Sequence, residues 1–187
     1  RGLRVCTFHA LGLEIVRKEH LTLGYKTGLT LYDEEDKLKL LKNLIAHSKQ
    51  DYDADNADKY ANQIGQWKNA FVTVKQAESM SIAEQQAISQ LYADYNRSLK
   101  AYNAVDFDDL ILLPVLLFQN HPGILEKWQN TIRYLLVDEY QDTNVTQYEL
   151  VKLLAGNLGR FTVVGDDDQS IYAWRGAQPE NLSQLQK

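Results

Sequence analysis

Asp138 and Glu139 follow directly on the apolar run Leu135-Leu136-Val137. A buried strand ending in paired carboxylates can serve phosphoryl transfer. The first acid holds Mg²⁺, directly or through water, and the second orients and deprotonates an attacking water. The same pair can also be a solvated strand end or an acidic cap on the next helix. A second apolar run, Phe161-Thr162-Val163-Val164-Gly165, leads into Asp166-Asp167-Asp168-Gln169. If the two runs are neighbouring strands, Gln169 comes near the sheet edge that carries Glu139. Its amide can there donate to a phosphate oxygen and sense its loss. At least one of the three preceding acids reads as part of a solvated turn. Tyr172 and Trp174, at i and i+2 with Arg175 beside them, can stack on bases and touch a phosphate, or pack into a core.

Groups of this kind need a parallel sheet to hold them. Residues 133–137 and 161–164 are continuous apolar runs, the pattern of strands covered on both faces. Between them Asn144 can cap a helix with Gln147 at the third helical position, and Gly156 can end it. Strand, helix, strand in this order predicts a βαβ unit with parallel pairing. Residues 4–8 read as a further short strand of the same layer. The stretch between, residues 13–105, reads as all-helical. Asp33 is a candidate N-cap for a helix with Leu38, Leu41, Leu44 and Ile45 on one face. A second helix carries Ala57, Tyr60, Ala61, Ile64, Trp67 and Phe71. Ser81-Ile82-Ala83-Glu84 reads as a capping box opening a long helix striped by Ile88, Leu91, Tyr92, Tyr95, Leu99 and Tyr102. The expected fold class is an α/β layer with a large helical insertion.

The bulk composition is that of a globular protein. Of 187 residues, 44% are hydrophobic and 24% charged, enough for a real core. No apolar run approaches the roughly 20 residues that span a bilayer, so no membrane partner is expected. The single Cys6 cannot form an internal disulfide, which fits a reducing, cytoplasmic setting. A net charge of −5 argues against a simple basic nucleic-acid binder. The chain starts at Arg1 without a signal-peptide layout or an initiating Met, and reads as a piece of a longer protein.

Val137-Asp138-Glu139-Tyr140-Gln141-Asp142-Thr143-Asn144 resembles motif II of the superfamily 1 DNA helicases of the Rep/UvrD type. The segment from Val164 through Gln169 and Trp174 to Ala177 resembles their motif III. Thr7-Phe8-His9-Ala10-Leu11-Gly12 resembles the motif that precedes the helical 1B subdomain, and Asp106-Phe107-Asp108-Asp109-Leu110 the segment that leads out of it. The four matches occur in the family order. The resemblance implies a partial parallel sheet of the RecA-like P-loop NTPase kind. It implies a division into 1–12 (strand and DNA-contact motif of ATPase core 1A), 13–108 (helical 1B) and 109–187 (C-terminal part of 1A). It implies ATP and Mg²⁺ as cofactors, with Asp138 on the metal, Glu139 activating water and Gln169 on the γ-phosphate. Thr7, Phe8, His9, Tyr172, Trp174 and Arg175 would meet single-stranded DNA. The implied partners are single-stranded and duplex or fork DNA and the remaining helicase domains. The implied activity is ATP-driven 3′–5′ translocation and unwinding in the bacterial cytosol, in DNA replication and repair.

One departure is large. The family needs a Gly-rich loop ending in Gly-Lys-Thr or Gly-Lys-Ser to cradle phosphates, and none of the ten glycines here is followed by Lys. Gly24-Tyr25-Lys26-Thr27-Gly28 has the residue types in the wrong order. The 187 residues alone are therefore expected to lack ATPase activity. Two rival readings follow from the residues. One is a non-catalytic DNA- or protein-binding module. The other is a metal-dependent nuclease built on Asp138, Glu139 and Asp166 to Asp168, which leaves Gln169 and the aromatic pair without a purpose. Asp51-x-Asp53-x-Asp55 imitates an EF-hand start, but Asn56 and Asn62 stand where Gly and Glu are needed, so it reads as a solvated loop.

Overall fold

The computed structural model describes residues 3–132, 134–137, 144–156 and 161–163, with side chains for 6–132 and 144–156. Three short strands, β1 (Leu3–Val5), β4 (Tyr134–Val137) and β5 (Phe161–Val163), form a parallel sheet in the order β1-β4-β5. A second parallel pair joins β2 (Thr30–Tyr32) to β3 (Ala104–Asp106). The rest of the described chain is mostly helical: α1 (Phe8–Lys18), α2 (Glu34–His47), α3 (Ala57–Asn69), α4 (Val74–Glu78), α5 (Ala83–Ala101), α6 (Asp109–Asn120), α7 (Pro122–Thr131) and α8 (Val145–Ala155).

The expected capping chemistry starts two of these helices, α2 and α8. Asp33 and Asp36 exchange side-chain and backbone hydrogen bonds at the start of α2, and Asn144 and Gln147 do so at the start of α8. Gly156, with φ 56°, closes α8. Each box satisfies amide donors that no helical carbonyl can reach.

Several local expectations are corrected. The strand read at residues 4–8 ends at Val5, because the Thr7 hydroxyl accepts from the Ala10 amide and starts α1. Residues 13–105 are not all helical: β2 and β3 lie in or beside that stretch, and three-residue strands are too short to show a period. Ser81 does not cap α5. Ile82 occupies the N-cap position, without a side-chain hydrogen bond. Phe71 lies beyond the end of α3 with φ 59°. Tyr102 lies just past α5 and is 64% exposed, so it is not core. Tyr92 and Tyr95 are buried as expected. Asp53 caps a short 3₁₀ turn by accepting from the Asp55 amide, in an exposed loop.

Two main cores result. One gathers Leu11, Ile15, Ile111, Val115, Phe118, Trp128, Leu150 and Val151 from α1, α6, α7 and α8. The other gathers Leu41, Ile64, Trp67, Leu91, Tyr92 and Tyr95 from α2, α3 and α5. Pro114 sits inside α6, where a missing amide and ring bulk normally disfavour a helix. A hydrogen bond and a close backbone approach also bind α1 to its neighbours. Trp128 Nε1 donates to Glu19 at 2.9 Å. Gly12 rests directly on α6, where a Cβ at residue 12 would stand 1.8 Å from the Leu110 carbonyl oxygen, so only glycine permits this approach.

Candidate nucleotide and nucleic-acid site

Val5, Val137 and Val163 end β1, β4 and β5. The strands run parallel, with Val5 paired to Leu136 and Val137 to Val163. Their carboxyl ends therefore share one sheet edge, the edge at which open parallel sheets bind ligands. In sequence, Thr7 follows β1, Asp138 follows β4 and Val164 follows β5. Asp138, Glu139, Gln169, Tyr172, Trp174 and Arg175, with Asp166 to Asp168, lie outside the described residues.

Thr7, Phe8 and His9 are described, and they open α1 together. The exposed Thr7 side chain is the N-cap, accepting from the Ala10 amide at 3.2 Å. Phe8 is half-buried and packs against the first core. The His9 ring stacks on Phe107, with centroids 3.7 Å apart and planes 11° from parallel. Phe107 is 48% exposed, so this stack presents aromatic surface at the protein's exterior. The sequence reading singled out His9 but missed Phe107. A lone Phe between acids shows no periodicity, and only the fold brings it to α1.

On either side of Phe107 in the chain, Asp106 and Asp109 belong to a buried ionic cluster that the sequence reading also missed. Lys68 Nζ is 2.8 Å from both Asp106 Oδ2 and Asp109 Oδ1, and its side chain is 1% exposed. The two aspartates also satisfy each other's backbone: Asp109 N donates to Asp106 Oδ1 at 2.9 Å, and Asp106 N to Asp109 Oδ2 at 3.1 Å. Tyr95 adds a hydrogen bond to Asp106 Oδ2 at 2.8 Å. Burial alone would lower the Lys68 ammonium, but the two carboxylates hold it above the ordinary lysine range. Burial opposes ionisation of Asp106, yet Lys68 and Lys37 draw its carboxyl down to about 2. Burial and then the Asp106 charge push Asp109 up to about 6. Burial, followed by Asp106, also raises the Tyr95 phenol. Paired and hydrogen-bonded on every side, this cluster meets the condition for keeping charge in a protein interior. The clue in the sequence was three aspartates at Asp106, Asp108 and Asp109 leading straight into an apolar run, which calls for a buried cation.

The end of α3 also clamps the helix that follows Glu139. Thr146 Oγ1 donates to the Lys68 carbonyl at 2.8 Å, and Asn144 Nδ2 donates to Asn69 Oδ1 at 2.9 Å. Asn69 Nδ2 in turn donates to Asp108 Oδ1 at 3.3 Å. One helix end thus ties the segment around Phe107 to the N-terminus of α8.

A parallel sheet edge of this kind can bind a ligand, and an exposed aromatic stack can take a planar group. The sequence model of the family described as the UvrD/REP helicase N-terminal domain matches residues 1–187, and the chain belongs to this family. It is 53% identical over 183 residues to the ATP-dependent DNA helicase Rep of Escherichia coli K12, covering 97% of this chain and 27% of that protein. It is 45% identical over 184 residues to the Rep helicase of Buchnera aphidicola subsp. Schizaphis graminum, covering 98% of this chain and 28% of that protein. It is 37% identical over 182 residues to the ATP-dependent DNA helicase PcrA of Staphylococcus aureus Mu50, covering 97% of this chain and 25% of that protein. The chain thus spans roughly a quarter of the length of these relatives. Among the described residues, no helix is long and apolar enough to cross a membrane.

Proposed function

We propose that this chain is part of the motor of an ATP-dependent 3′–5′ DNA helicase of the bacterial cytosol. In this reading residues 1–12 and 109–187 belong to a RecA-like ATPase core and residues 13–108 form a helical subdomain beside it. The observation that carries the reading is the parallel pairing of β4 with β5, Val137 opposite Val163. Asp138-Glu139 and the segment bearing Gln169 follow two neighbouring strands at one sheet edge.

The donor types suit Mg²⁺–ATP. A carboxylate such as Asp138 is a hard oxygen ligand of the kind Mg²⁺ takes, and the carboxyl edge of a parallel sheet is where nucleotides bind. Bound Mg²⁺–ATP supplies the phosphoryl group and the charge that neutralises its transfer. Asp138 would hold the metal. Glu139 would orient water and take its proton. Gln169 would donate to the γ-phosphate and respond to its loss. Thr7, Phe8 and His9, with Tyr172, Trp174 and Arg175, would hold single-stranded DNA by stacking and phosphate contact. The exposed Phe107 face beside His9 extends that surface.

No glycine among the 187 residues is followed by Lys, so the phosphate cradle must come from elsewhere in the protein. The expected result is no DNA-stimulated phosphate release from the 187-residue chain, and robust release from a longer protein that adds a Gly-Lys-Thr loop and a second motor domain. Mg²⁺-dependent cleavage of DNA without ATP would support the nuclease reading and refute this one.

A further inference from the structure

A cleft of about 350 Å³ opens beside the carboxyl end of α1, lined by Arg17, His20, Lys26, Thr27, Gly28 and Leu29. Its lining holds two cations, an imidazole and a hydroxyl, and no carboxylate, in a chain whose net charge is −5. The nearby Lys18 and Lys127 are paired with Glu14 and Glu19. Arg17 and Lys26 form no ion pair among the described residues.

The cleft is preformed. Lys26 N donates to Asn103 Oδ1 at 2.7 Å, and Asn103 Nδ2 donates back to the Lys26 carbonyl at 3.1 Å. Gly24 and Gly28, with φ of 81° and 75°, bracket the loop. His20 Nδ1 lies 2.8 Å from the Arg17 carbonyl, which can only accept, so Nδ1 is the donor there. Nε2, 3.4 Å from Thr27 Oγ1, then accepts from that hydroxyl when the ring is neutral. Fixed walls lower the ordering cost of a ligand. Their chemistry selects an anion, and guanidinium, ammonium and hydroxyl together suit phosphate oxygens.

Position narrows the source of that phosphate. Arg17 lies eight residues beyond His9 in α1, about 12 Å along the helix axis and roughly 80° around it. A strand held at the His9–Phe107 stack would reach Arg17 within a few nucleotides.

We infer that this cleft is a second phosphate subsite, binding a backbone phosphodiester of DNA that also engages the His9–Phe107 stack. The inference rests on the DNA-binding reading above but assigns contact to different residues. The test is amide-resolved NMR titration of the 187-residue chain with oligo-dT and, separately, with inorganic phosphate. It is paired with salt-dependent anisotropy on the chain and on an Arg17→Ala/Lys26→Ala variant.

Oligo-dT should shift the Lys26, Thr27 and Gly28 amides at concentrations where inorganic phosphate does not. The variant should keep its spectrum elsewhere, lose those shifts, and show a salt slope shallower by about 0.7 for each single-strand phosphate contact removed. Shifts confined to His9 and Phe107, with an unchanged slope, would overturn the subsite and leave the DNA-binding reading intact. Equal response to inorganic phosphate would make the cleft a general anion site and overturn the assignment to DNA. No shifts anywhere would overturn both readings.

Discussion

The His9 and Phe107 rings stack 3.7 Å apart, almost parallel, although they come from opposite ends of the helical region. The stack holds Phe107 in place while leaving it 48% exposed, a poor use of an aromatic unless something else lands on it. Replacing Phe107 by Ala should weaken single-stranded DNA binding by about 1–3 kcal/mol, the usual value of a base–aromatic stack. Because the ring is half exposed, the melting temperature should move little. Anisotropy with labelled oligo-dT beside a thermal melt separates the two effects. A large melting shift with unchanged affinity would make the stack purely structural.

Gly12→Ala should be among the most damaging small substitutions in the chain. The added methyl would stand 1.8 Å from a backbone oxygen of Leu110, which cannot rotate aside as a side chain could. α1 and α6 must separate, at a cost at or above the top of the usual 1–3 kcal/mol overpacking range. Urea unfolding reads this directly. A loss below 1 kcal/mol would mean the helices slide apart freely.

Lys68→Met should cost about 3–5 kcal/mol, because it leaves Asp106 and Asp109 buried without their cation. Most of that loss should return in the triple variant Lys68→Met/Asp106→Asn/Asp109→Asn, which removes the stranded charges. A single variant that unfolds no more easily than the parent chain would show that water reaches the cluster.

The same cluster sets a pH signature. Asp106 has an ordinary value of 3.8 and a folded value of about 2. Its contribution is present above pH 3.8 and is lost as pH falls toward 2. Asp109 is shifted the other way, from 3.8 to about 6. The unfolded chain releases that proton first, so stability falls as pH rises from 3.8 to 6. Each arm is on the order of 2–3 kcal/mol. Comparing the parent chain with Asp109→Asn by denaturant unfolding between pH 3 and 7 isolates the second arm. The difference should change across pH 4–6 and level off toward pH 7. A difference independent of pH would contradict the assignment.

Much of the local structure was legible because its physics is local. Asp33 and Asn144 announce their helices through side chains that satisfy nearby amides. The parallel placement of β4 and β5 follows from two apolar runs separated by one helix. What escaped the sequence was non-local or too short. β2 and β3 are three residues each and pair across the whole helical region. Lys68 meets Asp106 and Asp109 only after α3 packs against β3 and α6. In the sequence Lys68, between Trp67 and Asn69, carries no mark of the carboxylates it meets some forty residues later. Tyr102 fits the period of α5, yet the helix stops one residue earlier and leaves it outside. Of the predicted site residues, Thr7, Phe8 and His9 lie together at the start of α1, and the remainder fall outside the described residues.

In the proposed motor, the acids following β4 and the amide following β5 serve one phosphate. The deciding measurement is DNA-stimulated ATP hydrolysis by a longer protein that contains this chain, with Glu139→Gln against the parent. If Glu139 is the general base, kcat should fall by about 10²–10⁴-fold while nucleotide binding persists. A variant that hydrolyses ATP at the parental rate would show that Glu139 is not the base and that no such shared phosphate site operates.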